Sequence, residues 1–297
     1  MQVKIWLKEI RASFLILPII MSSLGSSLAF LEGYFDSIKF LIFTSALILM
    51  HITVNTLNEL DDYRTGIDWH TRKTPFSGGS GILQAGLLTP EEVRKATLVC
   101  FLVGLALCIY LLIDIGLILL PIIIPGIVFT LLYTRVFARS FMGEVTAGLG
   151  LGFLPVLGAY VVQTSRITEA SLYLSIAPGL FVFNLLLLNE FPDLEADRAG
   201  GRRNLVIALG PRKAAWLFSL LTVVAFAVIV GGGIAGIIPP LSMLCMVALP
   251  FALRAISGSF NNPGDLETFV TGMLSNVQMI LLTGIFGTIG IAISVMI

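Results

Sequence analysis

Residues Asn184 to Asn204 read N-L-L-L-L-N-E-F-P-D-L-E-A-D-R-A-G-G-R-R-N. An apolar run hands over to Asn189, Asp193 and Asp197 at successive steps of four. Residues four apart share a helix face, so the spacing predicts one polar column. Carboxylates at the end of a membrane-type helix are costly to keep there, and the default reading is a functional site. The plainer alternative is a solvated helix end paired with Arg198, Arg202 and Arg203. The device recurs earlier: Asn55, Asn58 and Asp62 stand at steps of three and four, and Asp68 follows beyond Gly66. Two such columns in one greasy chain weigh against a solvated end and point to a divalent cation.

Outward from these columns the chain is apolar. Of its 297 residues 57% are hydrophobic and 12% charged, and the mean hydropathy is +0.97. This composition predicts a polytopic all-α membrane protein, since helices of about 20 apolar residues span the hydrocarbon layer. Such helices satisfy their own backbone groups, as lipid requires. The whole of 1–297 reads as a single membrane-embedded domain. The net charge is zero, and no basic tract suggests nucleic acid as a partner. Cys100, Cys108 and Cys245 lie inside apolar runs without metal-ligand spacing or a disulfide framework. The segment Met1 to Arg11 is amphipathic rather than a cleavable signal.

Nine apolar runs begin near Ala12, Phe40, Ala96, Gly116, Gly143, Ala170, Ala214, Pro239 and Phe269. Each is expected to run roughly 18–28 residues. With a cytoplasmic N-terminus, 16 of the 18 Lys and Arg residues fall inside, leaving only Lys39 and Arg166 outside. That asymmetry fixes the orientation and puts both acidic columns at the cytoplasmic side of a cell membrane. The runs also suggest a parallel internal repeat, two sets of four helices with a ninth appended, and sites at the repeat interface. The long polar stretches Asp61–Lys95 and Asp193–Lys213 are where function is expected.

Asn189, Asp193 and Asp197 offer hard oxygen ligands. Mg²⁺ takes a few carboxylates, keeps waters and accepts substrate phosphates for the rest. Arg11, at the mouth of the first run, and Arg72, Lys73, Arg202 and Arg203 stand beside the acids. Metal plus guanidinium clamps a diphosphate, although the positive-inside rule alone explains most of these cations. Arg72, Lys73 and Arg202 are the expected phosphate contacts. Gly66 is expected to end the first acidic helix, letting Asp68 fold back. Glu59 and Asp61 lie on other faces, solvated or paired with Arg64. Ser77-Gly-Gly-Ser-Gly81 allows close backbone approach, or is only a flexible connector. Gly148-x-Gly-x-Gly152 lies inside a run with no strand before it, so it reads as helix packing. Tyr133 and Glu144 flank the short loop on the same side; an interfacial tyrosine is ordinary, and Glu144 suits a helix N-terminus. His51 reads as packed, and His70 as a loop residue.

These motifs resemble the UbiA superfamily of intramembrane prenyltransferases. N-x-x-N-E-x-x-D-x-x-x-G-x-D begins at Asn55, and N-E-x-x-D-x-E-x-D-x-x-x-G-R-R begins at Asn189. G-I-D, then S-G-G-S-G-I-L-x-x-G-L-L, Y-T, G-E-V and A-Y-V-V-Q-T are most similar to the menaquinone branch. The resemblance implies nine helices around a central cavity and Mg²⁺-dependent transfer of a polyprenyl group from an allylic diphosphate. The acceptor it implies is aromatic, 1,4-dihydroxy-2-naphthoate, which loses its carboxylate. Asn58, Asp62, Asn189, Asp193 and Asp197 would hold the metal. Asp62, Asp68, Asp193, Asp197 and Tyr133 would be catalytic, with Asp68 near the acceptor. Arg11, Asn55, Asn58, Arg72, Lys73, Ser77, Asn189 and Arg202 would bind substrate, and the isoprenoid tail would lie in a channel open to membrane lipid. The chain departs from the family in one place, with Glu59 where Asp is usual. Rival readings are a digeranylgeranylglyceryl phosphate synthase, another prenyltransferase of the same fold, or a cation-coupled transporter.

Overall fold

The computed structural model describes residues 2–67, 71 and 73–296. A short amphipathic helix, α1 (Gln2–Glu9), precedes the apolar helices. These are α2 (Ala12–Leu31), α3 (Ser37–Thr65), α4 (Pro90–Ile115), α5 (Leu117–Leu132), α6 (Gly143–Thr164), α7 (Glu169–Asn189), α8 (Pro211–Ile234), α9 (Pro240–Ser259) and α10 (Leu266–Met296). There is no strand among the described residues. Eight of the helices are long and apolar enough to cross a membrane; α5 is shorter. The fourth run was expected to match the others, but it starts at Leu117 after Gly116, carries Pro121 in its first α-helical turn and Pro125 within it, and ends at Leu132.

Caps place the boundaries. The Asp36 carboxylate accepts from the Ile38 and Lys39 amides at the start of α3. Gly66, at φ 77°, ends that helix as its left-handed cap, where a residue without Cβ carries no steric penalty. Thr89 and Glu92 form a reciprocal capping box ahead of α4.

The helices close into a ring, with α10 packed back on α2 and α2 also on the second half of α6. Met21, Leu24, Val156, Tyr160, Phe181 and Met279 fill the centre. The opposite face of α4 exposes Leu98, Val99, Leu102, Val103 and Ile113. A contiguous apolar surface of that kind belongs against lipid. A Cβ on Gly148 or Gly152 would stand 2.7 or 2.5 Å from the carbonyl oxygens of Gly179 and Pro178. The glycine run is therefore the α6–α7 contact. It also contains a π turn, Gly148–Phe153, a feature common beside functional sites.

One expectation fails here. Asn189, Asp193 and Asp197 do not share a continuous helix: α7 ends at Asn189, and a separate short helix, Leu194–Ala199, follows Asp193. Pro192 has no amide to give an α-helical ladder, and it disfavours helical backbone at Phe191. The break is anchored by Phe191, buried and stacked on Phe269 at 5.4 Å.

Candidate active site

The acids of the two loops meet despite that break. On α3, Asn58 Nδ2 donates to Asp62 Oδ2 at 2.7 Å. Arg202, from the loop after the short helix, puts Nη2 2.6 Å from Asp62 Oδ2 and 3.1 Å from Asn58 Oδ1. Its Nη1 lies 3.3 Å from Asp197 Oδ1. Asn204 Nδ2 donates to the other Asp197 oxygen at 2.9 Å. The loops also touch directly, because Ile67 packs where a Cβ on Gly200 would be, 2.1 Å from Ile67 Cγ1.

Between them lies a cavity of about 200 Å³. Asn58, Asp62, Asn189, Asp193, Asp197 and Arg202 crowd one part of its wall, and Phe14, Phe129, Leu151, Val182, Leu185 and Leu186 supply apolar wall. Asn55, Arg11, Ser77 and Tyr133 line it as well.

Electrostatics make the acidic part an unfinished site. Burial, reinforced by Asp197, pushes the Asp193 carboxyl up to about 8. Among the described residues its one side-chain hydrogen bond comes from Ser77 Oγ, at a long 3.5 Å. Burial likewise pushes Asp197 up to about 6, against the pull of Arg202 and with a further push from Asp62. Burial alone would lower Arg202, but Asp62 and Asp197 more than offset it and hold the guanidinium charged. Tyr133 is raised by burial and by Glu190. Among the described residues no three acidic, histidine or cysteine side chains converge closely enough to hold a metal unaided. An under-partnered buried Asp193 beside Asp197, Asn189 and Asn58 still fits a hard cation that shares its shell with water and substrate oxygens.

A second column runs up α3, one step round from the first. Asn55 Nδ2 donates to the Ile10 carbonyl at 3.2 Å, and Glu59, fully buried, pairs with Arg11 at 2.6 Å. Glu59 and Asp61 are expected from the sequence to be solvated or paired with Arg64. Instead Glu59 takes Arg11, and Asp61 takes Arg139 at 3.0 Å and Arg135 at 3.8 Å. Lys73 is exposed, with its ammonium across the back of Gly81, and is not among the cavity-lining residues. Asp68, His70 and Arg72 lie outside the described residues. His51 is buried and faces the cavity.

Sequence reasoning passed over one pair. Glu190 lines the cavity beside Asn189 and is held well above the usual carboxylate range by burial and by the nearby Glu144 carboxylate. Glu144 is fully buried and accepts from the Leu205 amide at 2.6 Å. A helix-dipole reading of Glu144 hid this, yet two acids in apolar surroundings were the available signal.

Residues 17–277 match the model of the UbiA prenyltransferase family. A 1,4-dihydroxy-2-naphthoate octaprenyltransferase of Bacillus subtilis is 28% identical over 274 residues, covering 91% of this chain and 86% of that one. A UbiA homolog from Aeropyrum pernix superposes with a TM-score of 0.69 at 18% identity, over 92% of this chain and 97% of that one. A UbiA homolog from Archaeoglobus fulgidus bound to GPP and Mg²⁺ does so with 0.66 at 13% identity, over 95% and 99%. The acidic loops, the cavity they close and a match over most of the chain agree: this protein belongs to the UbiA prenyltransferase family.

Proposed function

We propose that the enzyme transfers a polyprenyl chain from an allylic diphosphate to 1,4-dihydroxy-2-naphthoate, with Mg²⁺, at the cytoplasmic face of the cell membrane. One observation carries this reading. Arg202 bridges Asp62 and Asp197 at a cavity with both an acidic and an apolar wall. Such a cavity suits a ligand with a diphosphate head and a hydrocarbon tail. The B. subtilis relative's name supplies the acceptor, and the sidedness of the basic residues supplies the orientation.

Asn58, Asp62, Asn189, Asp193 and Asp197 are the residues that would hold magnesium. When bound, the metal supplies positive charge that neutralises the departing diphosphate. Arg202 adds a fixed guanidinium beside the same leaving group, and Ser77 brings a hydroxyl to its edge. The C1–O bond then breaks with its electron pair leaving on the diphosphate. Phe14, Phe129 and Leu151 exclude water that would quench the resulting allylic cation. The electron-rich ring attacks that carbon, and loss of the ring carboxylate as CO₂ restores aromaticity. Tyr133, held neutral, lines the cavity where it faces ring or cation, and Asp68 is assigned to the acceptor side.

The test is purified protein in liposomes with labelled geranylgeranyl diphosphate and 1,4-dihydroxy-2-naphthoate, with magnesium and then with EDTA. A labelled, decarboxylated prenyl-naphthoquinol formed only with the metal is expected. No transfer from any prenyl diphosphate to any acceptor would overturn the reading.

A further inference from the structure

Glu59 is fully buried within the first acidic motif, and the reaction outlined above leaves it without a task. Its surroundings supply one. Glu59 Oε1 accepts from Arg11 Nε at 2.9 Å and Nη2 at 2.6 Å. Both carboxylate oxygens lie 2.9 Å from the Ser80 amide. Ser80 Oγ in turn donates to Glu9 Oε2 at 2.8 Å and accepts from the Ile82 amide at 3.1 Å. One buried carboxylate thus ties three segments together: the end of α1, the start of α2 and the glycine-rich loop.

Two of the tied segments have little local reason to hold their shape. Arg11 sits at φ 54°, left-handed backbone that a residue with a Cβ seldom adopts. Gly78, Gly79 and Gly81 all have positive φ, between 72° and 83°, so the loop has little intrinsic preference for one shape. What it carries matters: Ser77 reaches Asp193, and Phe76, Ser77, Gly78 and Gly79 line the cavity. Arg11, Phe14, Phe76, Ser77 and Gly79 also line a neighbouring hollow of about 370 Å³ beside α1. The tied segments are therefore the partition between the two spaces.

We propose that Glu59 is a positioning residue: it seats the glycine-rich loop and Arg11 at the rim of the cavity, and the length of its side chain is what lets it reach both. Asp would set the carboxylate one methylene, about 1.5 Å, nearer the α3 backbone, too far to keep both the Ser80 amide and the Arg11 fork. The consequence for catalysis rests on the prenyl-diphosphate reading; the effect on the loop does not.

The experiment compares wild type with Glu59→Asp, Glu59→Gln and Ser80→Ala. Amide hydrogen exchange over residues 74–82 is read in substrate-free protein, together with kcat and KM for the prenyl diphosphate and Mn²⁺ affinity. In Glu59→Asp, loop exchange should quicken at least tenfold and the donor KM rise about tenfold, with kcat and Mn²⁺ affinity within twofold of wild type. Glu59→Gln keeps the length but loses the charge that holds Arg11, so it should raise KM similarly with a smaller change in exchange. Ser80→Ala, which removes the hydroxyl ties to Glu9 and to the Ile82 amide but keeps the Ser80 amide on Glu59, should move both in the same direction and by less. Unchanged loop exchange in Glu59→Asp, or in Glu59→Gln should Glu59→Asp not fold, would overturn the proposal. So would a loss of Mn²⁺ affinity, which would make Glu59 part of the metal set. Inactive wild-type protein would sink the prenyl-transfer reading alone, since the exchange result stands without substrate.

Discussion

Arg202 and Asp62, 140 residues apart in sequence, are joined by a guanidinium–carboxylate contact of 2.6 Å. The contact places a cation between the two acidic motifs, in the region assigned to the metal. Arg202→Gln should therefore have opposite effects on two ligands. Mn²⁺ binding without donor should tighten, because Asp62 and Asp197 lose an internal competitor, while the donor KM rises. The metal-free variant should also lose on the order of 3–5 kcal/mol of stability from uncompensated buried carboxylates, part of it restored by metal. Calorimetric titration and thermal melting check this; weaker Mn²⁺ binding in the variant would show Arg202 supporting the site, not competing for it.

Asp62→Asn and Asp193→Asn keep side-chain shape and remove charge. Turnover in each should fall by about a hundred- to a thousandfold, the scale seen when one charge-stabilising group is lost, with the protein still monodisperse in detergent. Near wild-type turnover in both would remove the metal assignment.

Magnesium needs ionised carboxylates, and Asp193 and Asp197 are raised to about 8 and about 6 without it. For groups whose folded pKa lies above the unfolded value of 3.8, the stabilising form is protonated. That contribution is complete below about pH 4 and lost as pH rises through about 6 and then about 8. Metal binding runs the other way. The rise in melting temperature on adding Mg²⁺ should be small at about pH 5.5 and large at about pH 8.5. A gain independent of pH would exclude these two acids as ligands.

Gly200→Ala introduces a Cβ 2.1 Å from Ile67 Cγ1, forcing the two acidic loops apart. A cost of about 1–3 kcal/mol is expected, with activity reduced several-fold. The double variant Gly200→Ala with Ile67→Ala restores the room and should recover much of that activity. No recovery would mean the loops are held elsewhere.

Membrane class and the end of α3 were readable because they follow from local chemistry: hydrophobic run length and Gly66 at the α3 terminus. The acids of the cavity were readable because charge is expensive inside apolar helices. What escaped depends on contacts distant in sequence. The Asp193 column survived only as a place in space, since Pro192 cut its helix. Nothing in the local pattern could pair Glu59 with Arg11, 48 residues away, or Asp61 with Arg139, 78 residues away. Glu144 and Glu190 were each visible alone, and their meeting was not.

The shortness of α5 reaches beyond the protein. At 1.5 Å per residue Leu117–Leu132 extends about 24 Å, against a hydrocarbon thickness of about 30 Å. Were this helix a ninth span, lipid on that flank would have to thin to meet it, or headgroups and water would have to dip toward Gly126, Phe129 and Thr130, which line the cavity. Bilayer thickness would then become a variable of the enzyme: vesicles of shorter-chain phospholipid would relieve the mismatch, and longer chains would deepen it beside the cavity.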